Sequence, residues 1–259
     1  MSPDAATDAA GDSGRFHTTR WSLILTSLED ENEAEESKGR QALAQLCRIY
    51  WRPIFAYICR QGQSPADAQD LTQEFFLAIL KKKFLQHADP ERGRFRSLLL
   101  KSLQNFLRDA QSKARARKRG GDVQFVAWDD WMAEAPSRLT IPPGALESWP
   151  PERLFDVRWA ATVAERALRG LQEECERRGR RRVFDALSSS LSADRGDVCY
   201  EDLARELATG TTEIKRLLHQ LRRRYGQLLR AEVAETVEKT EDVEGELRYL
   251  VRTLAASPP

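Results

Sequence analysis

Apolar residues recur at helical spacing through most of this 259-residue chain. The first such segment runs from about Lys38 to Arg60, and Pro53 is expected to kink or divide it. Its apolar face carries Leu43, Leu46, Ile49 and Tyr50. Only a short stretch at 123–126 alternates as a strand does. The pattern therefore predicts an all-α fold.

A second helix has the clearest start in the chain. Ser64 can cap it, Pro65 suits the first helical position, and Asp67 follows three residues after the cap. Its apolar stripe is Ala68, Leu71, Phe75, Phe76, Ile79 and Leu80. The opposite face carries Asp67, Asp70, Gln73 and Glu74. The sequence predicts an amphipathic helix with an acidic outward face.

A third helix is predicted from about Arg94 to Lys118, after a loop rich in proline and glycine. Its core face is Leu99, Leu103, Phe106 and Leu107. Residues 92–119 contain ten Lys and Arg and a single acid, Asp109, although the net charge of the whole chain is only +1. A local basic surface can neutralise phosphates whatever charge lies elsewhere, so this segment is a candidate contact for nucleic acid.

Prolines mark the middle of the chain. Five of the eleven prolines fall between 136 and 151, a density that favours an extended segment. Residues 122–155 are therefore predicted to connect two helical domains, with a local turn packed by Trp128 and Trp131. Helical periodicity resumes at Trp159 and continues to Leu191.

A helix-turn-helix pattern follows in the second domain. Tyr200–Leu207 predicts a short helix, Ala208–Gly210 a turn, and Thr211 or Thr212 the cap of a second helix. Ala208 stands where such turns usually have glycine, and Gly210 is displaced by two residues. The predicted inward residues of the second helix are Ile214, Leu217, Leu218 and Leu221. Its outward residues are Thr211, Thr212, Lys215, Arg216, His219, Arg222 and Arg223. An ordinary helical hairpin with a solvated basic face explains this pattern equally well.

The C-terminal residues predict one more helix. The apolar stripe comprises Val243, Leu247, Leu250, Val251 and Leu254. The polar side is predicted to hold Glu241, Asp242, Glu244 and Glu246. A helix this short is unstable alone, so it must pack on the helix-turn-helix domain or dock between the two domains.

Composition excludes several classes of function. The four cysteines form no CxxC pair and only three histidines accompany them, so no metal site or cofactor is predicted. No nucleotide-binding or catalytic motif is present, which argues against an enzyme. No apolar run approaches the roughly 20 residues needed to cross a bilayer. We expect a cytoplasmic protein without membrane insertion, with a disordered tail at residues 1–15.

Two strings, SPADAQDLTQEFFLAIL at 64–80 and DPERGRFRSLLLKSLQNFLRDA at 89–110, resemble domain 2 of sigma-70 family RNA polymerase sigma factors of the extracytoplasmic-function (ECF) group. The strings FHTTRWSLIL, RRRYGQLLRAEVAETV and VEGELRYL are similar to a long-tailed ECF-like subset. The resemblance implies domain 2 at 16–121, the linker at 122–155, domain 4 at 156–235 and a C-terminal helical extension at 236–259. It also implies bacterial RNA polymerase core and promoter DNA as partners, with an anti-sigma factor or other regulator as a further candidate.

The resemblance assigns roles to particular residues of this chain. The polymerase-binding residues would be Asp67, Asp70, Gln73 and Glu74. Contacts to the −10 element and the non-template strand would come from Phe95, Lys101, Asn105, Arg108, Lys113 and Arg115. The outward residues of the helix-turn-helix would read the −35 element. Family members often carry aromatic residues where this chain has Leu98 and Leu100, so Phe95 is the candidate for stacking on a base.

The sequence thus predicts a sigma factor that directs promoter recognition and helps open promoter DNA. A stand-alone helix-turn-helix regulator of transcription is the alternative, and a helical interaction protein that binds no DNA is a third hypothesis.

Overall fold

The computed structural model describes residues 33–80, 95–116, 148–194, 196–237 and 240–255. Within these ranges the fold is all-helical, as predicted. The α-helices are α1 Glu33–Arg60, α2 Pro65–Leu80, α3 Phe95–Ala116, α4 Pro151–Arg177, α5 Arg181–Leu187, α6 Tyr200–Glu206, α7 Thr211–Ala234 and α8 Val243–Ala255. The strand-like stretch at 123–126, the tail at 1–15, Trp128 and Trp131 lie outside the described residues. None of these helices is long and apolar enough to cross a membrane.

α1 is one continuous helix through Pro53 and is not divided there. A proline inside a helix removes one backbone hydrogen bond, and α1 tolerates this because its apolar face is deeply buried. Ile49, Tyr50, Ile54 and Ile58 are fully enclosed. The free energy gained by packing this face therefore outweighs the tendency of Pro53 to interrupt the helix.

The predicted start of α2 is confirmed. The Ser64 hydroxyl accepts a hydrogen bond of 3.2 Å from the backbone N–H of Asp67 and donates one of 2.6 Å to the Asp67 carboxylate. Pro65 is the first helical residue, where its missing N–H removes no bond. This cap fixes where the acidic face of α2 begins.

The first of two main cores is built by α1, α2 and α3 together with the first half of α4, the end of α7, and α8. Tyr50 lies at its centre, edge-on to Phe95 with ring centroids 5.3 Å apart and stacked on Phe155 at 6.3 Å. Arg52 of α1 pairs with Glu165 of α4 at 3.1 Å beside this core. Aromatic packing across these helices joins residues far apart in the sequence.

The second core is smaller and lies among α4, α5, α6 and α7. It combines Leu171 and Cys175 of α4 with Phe184 of α5, Ala204 of α6, and Ile214, Leu218 and Leu221 of α7. α4 contributes to both cores, because Trp159 lies in the first and Leu171 in the second. α4 also begins at Pro151, so residues 151–155 are helical although they were expected within the connecting segment. Pro151 occupies the first helical position, which proline tolerates.

α8 packs against α4 and α7 within the first core. Its residues Val243, Leu247 and Leu250 are buried as expected. Two expectations for this helix were wrong: Val251 and Leu254 are exposed, and Glu246 is 1% exposed. The apolar stripe is therefore narrower than predicted, and a carboxylate takes a place within the buried face.

The four cysteines are free. Burial raises the pKa of the Cys47 thiol far above its ordinary value, which keeps it protonated and unreactive. Over the described ranges, no group of three or more His, Cys, Asp and Glu side chains is placed to hold a metal ion.

Candidate functional site

An acidic groove runs between α2 and α3. Asp67, Asp70 and Glu74 are exposed and lie on one stripe of α2, since residues three and four apart share a helix face. They line a groove of about 290 Å³ whose other walls include Leu107, Ala110 and Gln111 of α3. The groove presents three carboxylates beside a small apolar floor, a surface that suits a basic partner.

Gln73 was also expected on this outward face, and that expectation was wrong. Its side chain is 7% exposed. Gln73 precedes Glu74 by one residue and therefore points about 100° away around the helix. It belongs to the flank of α2 that turns into the first core.

α3 exposes a stripe that combines an amide with two cations. Lys101, Asn105 and Arg108 are all exposed, at spacings of four and three residues. The Arg108 guanidinium donates a long hydrogen bond of 3.4 Å to the Asn105 amide oxygen. Such a stripe can contact phosphates through its cations and a base edge through its amide. The side chains of Lys113 and Arg115, in the last turns of α3, lie outside what the structure describes.

The first two residues of α3 point inward. Phe95 is 3% exposed and packs on Tyr50, so in this structure it offers no surface on which a base could stack. Arg96, expected to add to the basic surface of α3, is 7% exposed. Their burial places the start of α3 within the first core.

Arg96 is held by residues of two other helices. Its Nη1 hydrogen-bonds to Asp156 of α4, and its Nε lies 3.2 Å from a carboxylate oxygen of Glu246 on α8. The guanidinium lies 5.0 Å from the ring centroid of Trp159 and 4.3 Å from that of Tyr249. Burial alone would lower the pKa of Arg96, but the two carboxylates raise it above its ordinary value. Arg96 is therefore a charged link among α3, α4 and α8.

The backbone of α6 and α7 shows a short helix, a turn and a second helix in the predicted order. After α6, Ala208 adopts a left-handed conformation with φ of 51°. The N–H of Thr209 donates to the Ala204 carbonyl at 2.9 Å, and the N–H of Ala208 donates to the Arg205 carbonyl at 3.3 Å. This pair of bonds is a Schellman motif, which usually has glycine at the left-handed position. Alanine takes that role here, and the turn still forms.

The start of α7 differs from the prediction. Gly210 is the residue that precedes the helix, and no side chain caps it. The expectation that Thr211 or Thr212 caps α7 was therefore wrong. Ile214, Leu218 and Leu221 are buried as predicted, which fixes the rotation of α7 about its axis.

The outward face of α7 is basic. Thr212, Lys215, Arg216, His219 and Arg223 are exposed, while Thr211 is half-buried. Arg216 pairs with Glu213 through two bonds, of 2.7 and 2.5 Å. The Lys215 ammonium lies 5.2 Å from the ring centroid of Tyr200 on α6. The exposed residues share one face, so they can reach the same surface of a partner.

Arg222 departs from this face. Its guanidinium donates to the backbone carbonyls of Ser190 and Ala193, at 2.8 and 2.5 Å. Those carbonyls belong to the segment between α5 and α6. Arg222 thus holds that segment against α7 and is directed inward, contrary to expectation.

A basic turn beside α7 was missed by the sequence reasoning. The string RRGRRR at 177–182 places five arginines around Gly179 between α4 and α5, and all five are exposed. Arg182 donates a 2.8 Å bond to the carbonyl of Glu206 at the end of α6. Arg178, Arg180 and Arg223 line a common groove of about 380 Å³. The run of arginines in the sequence was the signal that could have identified it.

The described part of the chain therefore carries three exposed polar surfaces. They are the acidic groove on α2, the Lys101–Asn105–Arg108 stripe on α3, and the basic face of α7 with its neighbouring arginine turn. The second and third can contact nucleic acid, and the first suits a basic protein surface. Comparison of the chain with protein-family models, with curated proteins and with solved structures finds no match.

Proposed function

We propose that this chain is a sigma factor that binds bacterial RNA polymerase core, directs it to promoters and helps open the DNA. The observation that carries the proposal is the α6–α7 helix-turn-helix, whose second helix exposes a continuous basic face. In this proposal residues 16–121 serve as domain 2 and residues 156–235 as domain 4, joined by the connection at 122–155. The protein would act in the cytoplasm at the nucleoid, without a cofactor and without catalysing a reaction.

Duplex recognition would use α7. A major groove admits one helix, and the arginines and lysine on its exposed face can contact guanine edges or phosphates. Arg216 is already fixed by Glu213, which lowers the entropy that it loses on binding. Arg178 and Arg180 lie beside this face and are placed for the phosphates that flank the groove. Base contacts from α7 would give specificity, and the arginine turn would add affinity.

Polymerase binding would use the acidic groove of α2. Carboxylates at Asp67, Asp70 and Glu74 are exposed and stand at the rim of an apolar floor. Charges at a rim guide the approach of a partner, and the apolar floor provides the buried contact. A basic helical surface on the polymerase is the complement that this groove requires.

Strand opening would use α3. Lys101 and Arg108 can hold a phosphate backbone while Asn105 pairs with the edge of a base that has left the duplex. This requires binding energy for the single strand and no chemical step.

The decisive experiment is transcription in vitro with the full chain. We expect core polymerase mixed with the chain to start transcripts at discrete positions on DNA from the source genome, whereas core alone does not. Mapping these start sites would identify the promoter sequences. Failure of the chain to bind core polymerase, or transcripts that do not depend on it, would refute the proposal.

One observation favours the alternative of a stand-alone regulator. The basic face of α7 is exposed in this structure, whereas Phe95 and Arg96 at the start of α3 are buried. A regulator that uses only α7 would bind a specific duplex site without polymerase and would give no transcripts with core enzyme. Binding of a labelled duplex, measured with and without core polymerase, separates the two functions.

A further inference from the structure

A groove runs between α7 and α8, outside the three polar surfaces described above. It measures about 530 Å³, which is larger than the acidic groove of α2. Leu229 of α7 and Leu247 of α8 line it, and Gly226 of α7 adds no side chain to its wall. Glycine is a poor helix former, and at this position it keeps the groove open. The seam between the two helices is therefore unfilled.

α8 has a second apolar stripe beside the one that enters the first core. Within the described residues, the only large apolar side chains that are exposed are Val251 and Leu254, at 57% and 36%. With Leu247 they follow a spacing of four and three residues, which is typical of a helix face that packs against another helix. Leu247 and Val251 both line the groove. The stripe and the groove together form a site that one further helix would fill.

The rim of this groove carries an excess of positive charge. Its charged residues are Arg230, Glu244, Arg248 and Arg252. Arg230 is paired with Glu244 at 2.8 Å. Arg248 and Arg252 are exposed and lie about one turn apart on α8, and neither forms an ion pair within the part of the chain that the structure describes. Two positive charges at the rim are thus available to a partner.

The combination of the apolar stripe with the two arginines favours a protein partner over nucleic acid. Phosphates of duplex DNA would pair with Arg248 and Arg252, but they would leave Val251 in water. An acidic amphipathic helix meets both requirements, because its apolar face covers the stripe while its carboxylates pair with the arginines. A basic helix would bring like charges together at the rim. Charge and hydrophobicity therefore select the same partner.

We propose that this α7–α8 seam is a docking site for one acidic amphipathic helix of a partner protein. The helix lies along α8, with apolar residues three and four apart against Leu247, Val251 and Leu254 and with Glu or Asp beside Arg248 and Arg252. The seam shares no residue with the surfaces assigned to polymerase and DNA, so its occupation leaves those surfaces exposed. This inference does not depend on the proposed sigma function.

The test uses the full chain and two synthetic peptides of three heptads, about 21 residues each. Both peptides carry Leu at positions a and d and Ala or Gln at positions b, c and f. At positions e and g one peptide carries Glu and the other carries Lys. Fluorescence anisotropy of the labelled peptides at about 0.15 M salt gives the affinities. We expect the Glu peptide to bind the unchanged chain at least about tenfold more tightly than the Lys peptide.

Three variants separate docking in the seam from general electrostatic attraction. Arg248→Glu with Arg252→Glu reverses the charge of the rim, and Val251→Ser removes apolar surface without changing charge. Arg178→Glu with Arg180→Glu is the matched control, because it reverses two exposed arginines outside the seam. We expect the first two variants to weaken binding of the Glu peptide at least about fivefold and the control to change it by less than about twofold. All of the altered side chains are exposed, so the melting temperature should stay unchanged.

A rim variant that prefers the Lys peptide, together with weaker binding of the Glu peptide to Val251→Ser, supports the docking site. The proposal is overturned if the Glu peptide does not bind, or if it binds both seam variants as it binds the control. A dimer of the unchanged chain that Val251→Ser dissociates, measured by light scattering, overturns it in favour of a second copy in the seam. Loss of duplex binding in the rim variant without any peptide binding overturns it in favour of nucleic acid. None of these measurements involves polymerase, so failure here leaves the proposed sigma function standing.

Discussion

Ala208 occupies after α6 the same backbone position that Gly179 occupies after α4. Both residues are left-handed, with φ of 51° and 66°. In both turns the next residue closes a Schellman motif. The N–H of Thr209 donates to the Ala204 carbonyl, and the N–H of Arg180 donates to the Cys175 carbonyl. A side chain in this conformation costs roughly 1–2 kcal/mol, so the turn between α6 and α7 is held under strain that the turn after α4 avoids.

Exchanging the two residue types should therefore change stability in opposite directions. Ala208→Gly is expected to raise the free energy of unfolding by about 1 kcal/mol, and Gly179→Ala to lower it by a similar amount. No atom lies within 4 Å of a methyl group added at Gly179, so its destabilisation would come from backbone strain alone. Urea unfolding of both variants checks the pair, and shifts of the same sign would contradict this account.

Two adjacent arginines of α7 should have separable effects. Arg223→Ala removes an exposed cation, so duplex binding is expected to weaken while the melting temperature stays unchanged. Arg222→Ala removes the donor to Ser190 and Ala193 and should lower stability by about 1–3 kcal/mol. Thermal unfolding and fluorescence anisotropy on a duplex site measure the two quantities. If Arg222→Ala weakens duplex binding and leaves the melting temperature unchanged, the Arg222 side chain does not hold Ser190 and Ala193 in solution.

The arginine turn should act through phosphates. Replacing Arg178 and Arg180 with Ala is expected to weaken binding to all duplexes alike and to reduce the slope of log affinity against log salt by about 0.9 for each phosphate that is no longer neutralised. Arg181→Ala is the control, because Arg181 is paired with Glu176 and Asp185. A salt titration of all variants gives the slopes. Equal slopes for the double variant and the unchanged chain would show that this turn does not contact DNA phosphates.

The acidic groove can be tested by charge reversal. Asp70→Lys combined with Glu74→Lys should abolish binding to core polymerase with little change in stability, because both side chains are exposed. Asp194→Lys with Asp197→Lys changes the net charge equally at exposed positions far from α2 in the sequence and serves as the control. Co-purification with core enzyme gives the result. Retention of the first double variant would refute the docking role of the groove.

Acid should weaken the contact between α4 and α7. A hydrogen bond from Arg224 holds the pKa of Glu174 below its ordinary value of 4.5. A carboxyl with a lowered pKa stabilises the fold above pH 4.5 and loses this contribution as the pH falls further. Glu174→Gln is therefore expected to cost up to about 1 kcal/mol at pH 7, a figure limited by the partial exposure of Arg224, and progressively less as the pH falls below 4.5. Urea unfolding across this range, with exposed Glu173→Gln as control, measures the difference.

Helix-capping and periodicity rules predicted the features whose partners are close in the sequence. The cap of α2 at Ser64 needs only the next three residues, and the buried face of α7 follows from the spacing of Ile214, Leu218 and Leu221. Such features can be derived from a sequence because their partners lie within one or two helical turns.

The inward charged residues could not be predicted in this way. Arg96, Arg222 and Glu246 were assigned to solvent because a polar pattern places every such side chain outward. Arg96 and Glu246 are 150 residues apart, and the carbonyls that hold Arg222 are about 30 residues away. Only the assembled helices bring these groups together, so their burial depends on tertiary packing.

The composition of the first core has a consequence for synthesis on the ribosome. α1, α2 and α3 are made first, but Phe155, Trp159 and Leu250 complete their core. At roughly 5–20 residues per second, Leu250 follows the end of α3 by about 7–27 s. During that interval the nascent helices expose the apolar surface that Phe155, Trp159 and Leu250 later cover. Chaperone demand should therefore be greatest before α4 emerges, and it should end only when α8 has been released.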